Sequence, residues 1–487
     1  MPVYLIVFAQ SHPDFRVPEL QSIAELFGFS IAIPEQCDTS RPFLVIEIDT
    51  EQHARMLASR CILIKHIYEF YAQGSSYDEL HAANKRNGVL WERYKEDTSF
   101  KFVVTGYNHT IPDARQRSVM NDFKYMEFKG TIDLKHPELI LGCFEEYDTR
   151  ETSGPPATRG ERDGQFRQVY FGRWVVDGTA RPLVKTFDVK KRHYFGNTSM
   201  ESEISLIMAN QALVRSAMHG ELDVEILPRP DRQSSCTTHS VALGAWHMHV
   251  QSGLYDGWLT KSQPAAYFGA LVFGSDIDGR QMRGKTGQGE PPGVIKAAKQ
   301  YGVADHIIDL CTFDVTRNPW RCGDLFDTIV TDPPYGVRAG AKRLGRKKEL
   351  SEVKKAMCLA ARDRSNDQPY IPPTKPYELS HLAVDLVLLA RYLLKPGGRL
   401  VFFLPTVNEN YEEIDVQSML CEGMELVANS LQDLDRGGEG LTLGQLVTVR
   451  KTSHATFPPP TLAERTDDSE HVPAHKNFRE QYFRGFK

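Results

Sequence analysis

Three apolar stretches in the second half of the chain each lead to an aspartate, and this repetition narrows the folds open to it. Ala270–Phe273 leads to Gly274-Ser275-Asp276, Ile307–Leu310 to Asp314, and Phe326–Val330 to Asp332. Gly293–Tyr301 has helical spacing, as does the longer Leu379–Leu394, which precedes another strand at Leu400–Phe403. Strands separated by helices predict a doubly wound, mostly parallel α/β sheet, because parallel neighbours need a crossover connection. Such sheets bind ligands outside the carboxyl ends of their strands, where all three aspartates fall. Lys395-Pro396-Gly397-Gly398 reads as scaffold, with glycines permitting a tight reversal between helix and strand.

The third aspartate opens Asp332-Pro333-Pro334-Tyr335. This tetrapeptide suits methyl transfer to an exocyclic amino group, a poor nucleophile whose lone pair is delocalised into its ring. The Asp332 carboxylate and the Pro333 carbonyl can both accept from the NH2. The nitrogen then becomes more tetrahedral, and its lone pair points at an electrophilic methyl. Tyr335 would stack on the base, while Pro333 and Pro334 stiffen the loop and remove competing backbone donors. The plainer reading is a proline-rich turn, against which stand the preceding strand and the following Tyr335-Gly336. At the earlier strand ends, Asp276 could accept from both ribose hydroxyls of a nucleotide-like cofactor and Asp314 from its adenine amino group. Taken alone, either could be a helix cap. Beyond the tetrapeptide, Arg338, Lys342, Arg343, Arg346 and Lys347 suit phosphate contacts, although a solvated loop has the same composition.

The first half is α+β. Strands are expected at Tyr4–Phe8, Phe43–Ile48, Ile62–Lys65, Phe100–Thr105, Tyr125–Phe128 and Leu139–Phe144, with helices at Val17–Phe27 and Glu51–Cys61. Asp148–Phe166 is a polar loop, and a basic segment, Lys185–Arg192, precedes a helix over Glu201–Val214. No run approaches the roughly 18 apolar residues of a membrane span. Met1–Phe8 lacks a basic leader and reads as a first strand rather than a signal peptide. Eight cysteines without a Cys-x-x-Cys pair argue against zinc or a disulfide framework and favour a reduced, cytoplasmic setting. His239, His247 and His249 lack the spacing of a metal cluster. The formal charge of −5 does not advertise nucleic acid, though a local basic surface can act within an acidic chain.

With these residues in hand, the chain resembles the eukaryotic tRNA (guanine-N2)-methyltransferases that modify guanosine 10. The likeness runs through Tyr4–Phe8, Lys190-Lys191-Arg192, Thr198-Ser199-Met200 and Met208-Ala209-Asn210-Gln211-Ala212-Leu213. It continues in Gly274-Ser275-Asp276-Ile277-Asp278, Asp332-Pro333-Pro334-Tyr335-Gly336-Val337-Arg338 and the closing Phe478–Lys487. The resemblance implies an α+β RNA-binding region with a THUMP domain over 1–180, a Rossmann-like methyltransferase domain over 181–455 and a tail over 456–487. It also implies S-adenosylmethionine as donor, tRNA as substrate and a small zinc-binding activator subunit as partner. Thr198 and Ser199 would help build the pocket wall.

One interval departs from the family. Arg215–Pro264 contains no Gly-x-Gly and reads as foreign sequence replacing the family's first strand and glycine-rich cofactor loop. It is therefore expected to form a poorly ordered excursion. A smaller departure is Asp433–Gly444. Two rival functions follow: an amino methylase of another substrate, or a catalytically impaired tRNA-binding protein.

Overall fold

The computed structural model describes residues 2–148, 165–193, 200–216, 246–251, 263–277, 293–333, 342–345, 351, 353, 374–377, 379–407, 416–432 and 442–460. The chain divides into two compact units. One comprises Met1–Pro13 and Gly28–Arg181, the other Asp14–Phe27 and Pro182–Lys487.

The first unit is built on a seven-stranded sheet. Its strands are β1 (Val3–Phe8), β2 (Ile31–Ala32), β3 (Phe43–Ile48), β4 (Ile64–Gly74), β5 (Phe100–Tyr107), β6 (Leu139–Tyr147) and β7 (Phe166–Asp177), in the order β2-β3-β1-β4-β7-β6-β5. Only β5 and β6 pair in parallel. Thr50 caps the helix Glu51–Arg60 by accepting from His53 N, and Ser76 caps Tyr77–Arg86 by accepting from Glu79 N. Leu80, Trp91, Val119 and Phe123 pack from the helical side onto Tyr71, Val104, Leu141 and Phe171 of the sheet. Tyr125–Phe128 is not a strand: Phe123–Met126 forms a 3-10 turn, because Phe123 and Met126 both turn inward to this core. β7, twelve residues long, has no counterpart among the expected strands.

The second unit carries another seven-stranded sheet. Its strands are β8 (Trp246–Gln251), β9 (Leu271–Asp276), β10 (Ile307–Thr312), β11 (Phe326–Thr331), β14 (Leu394–Val407), β15 (Met424–Gln432) and β16 (Thr442–Lys451). A separate two-stranded ribbon pairs β12 (Lys342–Leu344) with β13 (Thr374–Pro376). The main order is β10-β9-β8-β11-β14-β16-β15, parallel from β10 to β14 and antiparallel beyond. This is the doubly wound Rossmann-like arrangement, with chain direction across the sheet reversing between β8 and β11.

The expectation that Arg215–Pro264 lacks the first strand is overturned here. Trp246–Gln251 lies at the centre of the sheet, paired with β9 from Trp246↔Leu271 to Gln251↔Asp276 and with β11 at Thr328↔His247 and Ile329↔Met248. A parallel sheet needs a strand at that place to satisfy the inner edges of β9 and β11.

Leu382, Leu386, Val387 and Leu393 of the helix Leu379–Leu393 pack on Ile329, Leu400, Phe402 and Val447 of the sheet. Where β14 begins, Lys395–Gly398 stand opposite Asp327 alone, a register shift of three residues, since Phe326 pairs with Leu394 and Thr328 with Arg399. Gly397 takes φ +81° in this bulge, and a Cβ on Gly398 would lie 2.8 Å from the Asp327 carbonyl oxygen. Lys395 Nζ donates to Asp327 Oδ2 at 3.0 Å and pins the loop. Among the described residues, no helix is long and apolar enough to cross a membrane.

Candidate active site

Strand register brings the three aspartates to one edge of the sheet. Asp276 ends β9, opposite Thr312 of β10 on one side and Gln251 of β8 on the other. Asp314 follows Thr312 by two residues, and Asp332 directly follows β11. All are buried, at 1%, 1% and 8% exposure. Parallel α/β sheets bind their ligands at this edge, and carboxylates placed there are suited to accept from a ligand. Asp332 and Pro333 sit beside the topological switch point between β8 and β11.

Asp314 is the best-defined of the three. Its Oδ1 accepts from Thr316 N at 2.8 Å and Thr316 Oγ1 at 2.9 Å, and its Oδ2 accepts from Leu344 N. A carboxylate offers roughly four acceptor sites. Three donors are already present here, which leaves room for one more, such as an amino group. With Asp276 as the second acceptor, these side chains fit the ribose and adenine of a nucleoside-bearing cofactor in chemistry and placement.

The Leu344 contact was invisible in the sequence. It fastens the β12–β13 ribbon to the strand-end aspartate. The Arg343 guanidinium lies over the Tyr377 ring at 5.4 Å, and Tyr377 Oη in turn donates to the Asp385 carboxylate on the long helix. Part of the basic segment is thereby held near the carboxyl edge. Lys342 belongs to β12. Pro334, Tyr335, Arg338, Arg346 and Lys347, with Thr198 and Ser199, lie outside the described residues.

A doubly wound sheet with buried aspartates at successive strand ends, the last followed by proline, is the scaffold of a Rossmann-like methyltransferase. The profile described as "Tmrp11 THUMP N-terminal domain" matches residues 2–180. The tRNA (guanine(10)-N(2))-methyltransferase of Saccharomyces cerevisiae is 32% identical over 499 aligned positions, covering 100% of both chains. The Homo sapiens protein tRNA (guanine(10)-N(2))-methyltransferase TRMT11 is 30% identical, over 99% of this chain and 95% of its own. Among solved structures, TrmN from Thermus thermophilus aligns with 92% of this chain and 99% of its own, at 15% identity and a TM-score of 0.39. The chain belongs to the tRNA (guanine(10)-N(2))-methyltransferase family.

Proposed function

We propose that this protein transfers a methyl group from S-adenosylmethionine to the N2 amine of guanosine 10 in tRNA. The observation that carries the reading is the position of Asp332-Pro333 at the carboxyl end of β11, beside the switch point, in a chain related over its full length to enzymes named for this activity. Guanine N2 lies on a base edge within a stem, so the base must be presented out of its stack. Asp332 and the Pro333 carbonyl accept from its NH2 and turn the lone pair outward, and Tyr335 stacks on the ring. Asp276 and Asp314 hold the donor, which when bound supplies the electrophilic methyl. Thr198 and Ser199 contribute to the pocket wall. Arg338, Lys342, Arg343, Arg346 and Lys347 contact phosphates, and the THUMP unit over 1–180 adds affinity through RNA shape. In this division 181–455 is the catalytic domain and 456–487 a tail, and the protein works in the cytoplasm.

The impaired-binder alternative rested on a missing first strand and glycine-rich cofactor loop; β8 supplies the strand, and residues 252–262, which follow it, lie outside the described residues. The test combines calorimetric titration of S-adenosylmethionine with nucleoside analysis of tRNA after reaction. Donor binding and new N2-methylguanosine are expected. Absence of binding heat at millimolar donor, with intact tRNA binding, would return the impaired binder.

An activator subunit accords with the edge of the catalytic sheet. β10 is an edge strand of an otherwise parallel array, and its Ile308 is 41% exposed. Edge strands present unpaired backbone groups to which a partner strand can add. Ile308→Asp is expected to weaken co-purification of the activator while leaving the melting temperature of the isolated chain unchanged. Undiminished co-purification would move the interface elsewhere.

A further inference from the structure

The basic stretch near the start of the catalytic unit is held by one side-chain amide. Gln300, the last residue of the helix Gly293–Gln300, donates from Nε2 to the Lys191 carbonyl at 2.8 Å and accepts at Oε1 from His193 N at 2.7 Å. Its amide therefore pairs with the backbone on both sides of Arg192, as a neighbouring strand would.

Arg192 turns inward. It is 5% exposed, and its Nη2 donates to the Phe187 carbonyl at 2.8 Å. The Phe187 ring packs against Tyr267 and Tyr301, with centroids 5.4 Å and 4.8 Å away. With residue 192 anchored inside, Lys191 is exposed beside it, as are Lys185, Lys190 and, on the clamping helix, Lys299. Lys191 Nζ donates to the Lys185 carbonyl at 2.9 Å, which further orders the strip. The stretch has a single carboxylate, Asp188, whose Oδ1 already accepts from Lys190 N at 3.0 Å.

A two-sided backbone clamp orders whatever segment it holds. A surface that binds a polyanion gains from such ordering, because cations fixed beforehand lose less conformational freedom on contact. We infer that Lys185, Lys190, Lys191 and Lys299 form a preorganised strip for the phosphate backbone of the tRNA substrate, with Gln300 as its positioning residue. The inference rests on the proposed function for the identity of the RNA, and it adds a binding surface separate from the Asp332 edge.

The experiment measures tRNA binding across a salt series, alongside tRNA KM, kcat, S-adenosylmethionine affinity and melting temperature. The double variant Lys190→Glu/Lys191→Glu should weaken tRNA binding about tenfold and make the plot of log affinity against log salt shallower by about two units. Gln300→Ala removes no charge, yet should raise the tRNA KM about fivefold through lost preorganisation, with kcat and donor affinity unchanged. Gln300→Glu keeps the acceptor for His193 N but sets a charged oxygen against the Lys191 carbonyl, and should raise the KM at least as much as alanine. A merely structural Gln300 would instead lower melting temperature and donor affinity together, and that result would overturn its positioning role. If the wild-type chain binds tRNA and the double variant keeps its salt slope, the strip is refuted while the proposed function stands. A wild-type chain that neither binds nor methylates tRNA overturns both.

Discussion

Asp332→Ala is expected to lower kcat by about 100-fold or more, near 2.7 kcal/mol of transition-state stabilisation. The alanine leaves the Pro333 carbonyl as sole acceptor for the target amine, whose lone pair then stays conjugated with its ring. Because the lost interaction matters most as nitrogen becomes tetrahedral, substrate binding should barely change. Donor and tRNA affinities are thus expected near wild type, separating this variant from those of the lysine strip. Asp332→Asn keeps one acceptor oxygen and should lose less. The side chain is 8% exposed, so a melting curve must accompany the kinetics to exclude a folding defect. Near-wild-type turnover in a folded Asp332→Ala would remove the carboxylate from the mechanism.

Strand ends were the legible part of this chain, because apolar runs closed by Asp276, Asp314 and Asp332 state both fold class and ligand edge. β8 was not legible for a physical reason. Trp246, Met248 and Val250 alternate with His247, His249 and Gln251, a pattern belonging to a half-solvated strand, whereas the centre of a parallel sheet is normally apolar throughout. Contacts that hold the site to its surroundings were also hidden. Leu344 N on Asp314 and the Gln300 clamp use backbone groups and an unremarkable amide, so no residue type marks them. The helix expected over Val17–Phe27 forms over Arg16–Phe27, but its address, the second unit, was not legible.

That address makes Arg399 a side chain that joins several elements of the second unit. It is 1% exposed, and burial pushes its guanidinium below the usual arginine range, with Glu25 opposing the shift. Nη1 donates to Ser22 Oγ at 3.1 Å and to the Gln211 carbonyl at 2.7 Å, and Nη2 donates to Glu25 at 2.5 Å. Its own carbonyl accepts from Thr328 Oγ1 at 3.0 Å, which links β11 to β14. One residue thus joins the helix Arg16–Phe27, the end of Ser202–Gln211 and the strand leading to Asp332. Asn210 Nδ2 donates to Glu19 Oε1 and Thr448 Oγ1 to Gln211 Oε1, both at 2.7 Å, so neighbouring contacts tie the same elements. Arg399→Ala should cost about 3 kcal/mol, since it opens a void and leaves the Gln211 carbonyl short of its donor. Arg399→Met keeps volume without a buried charge and should recover part of that loss. A fragment starting at Pro182 lacks the helix altogether and should not fold, whereas fusing Asp14–Phe27 to its start through a flexible linker should restore a cooperative transition. Denaturant midpoints and near-UV circular dichroism check all four forms. A cooperative transition in the bare fragment at the wild-type midpoint would show the helix to be dispensable and Arg399 a passenger.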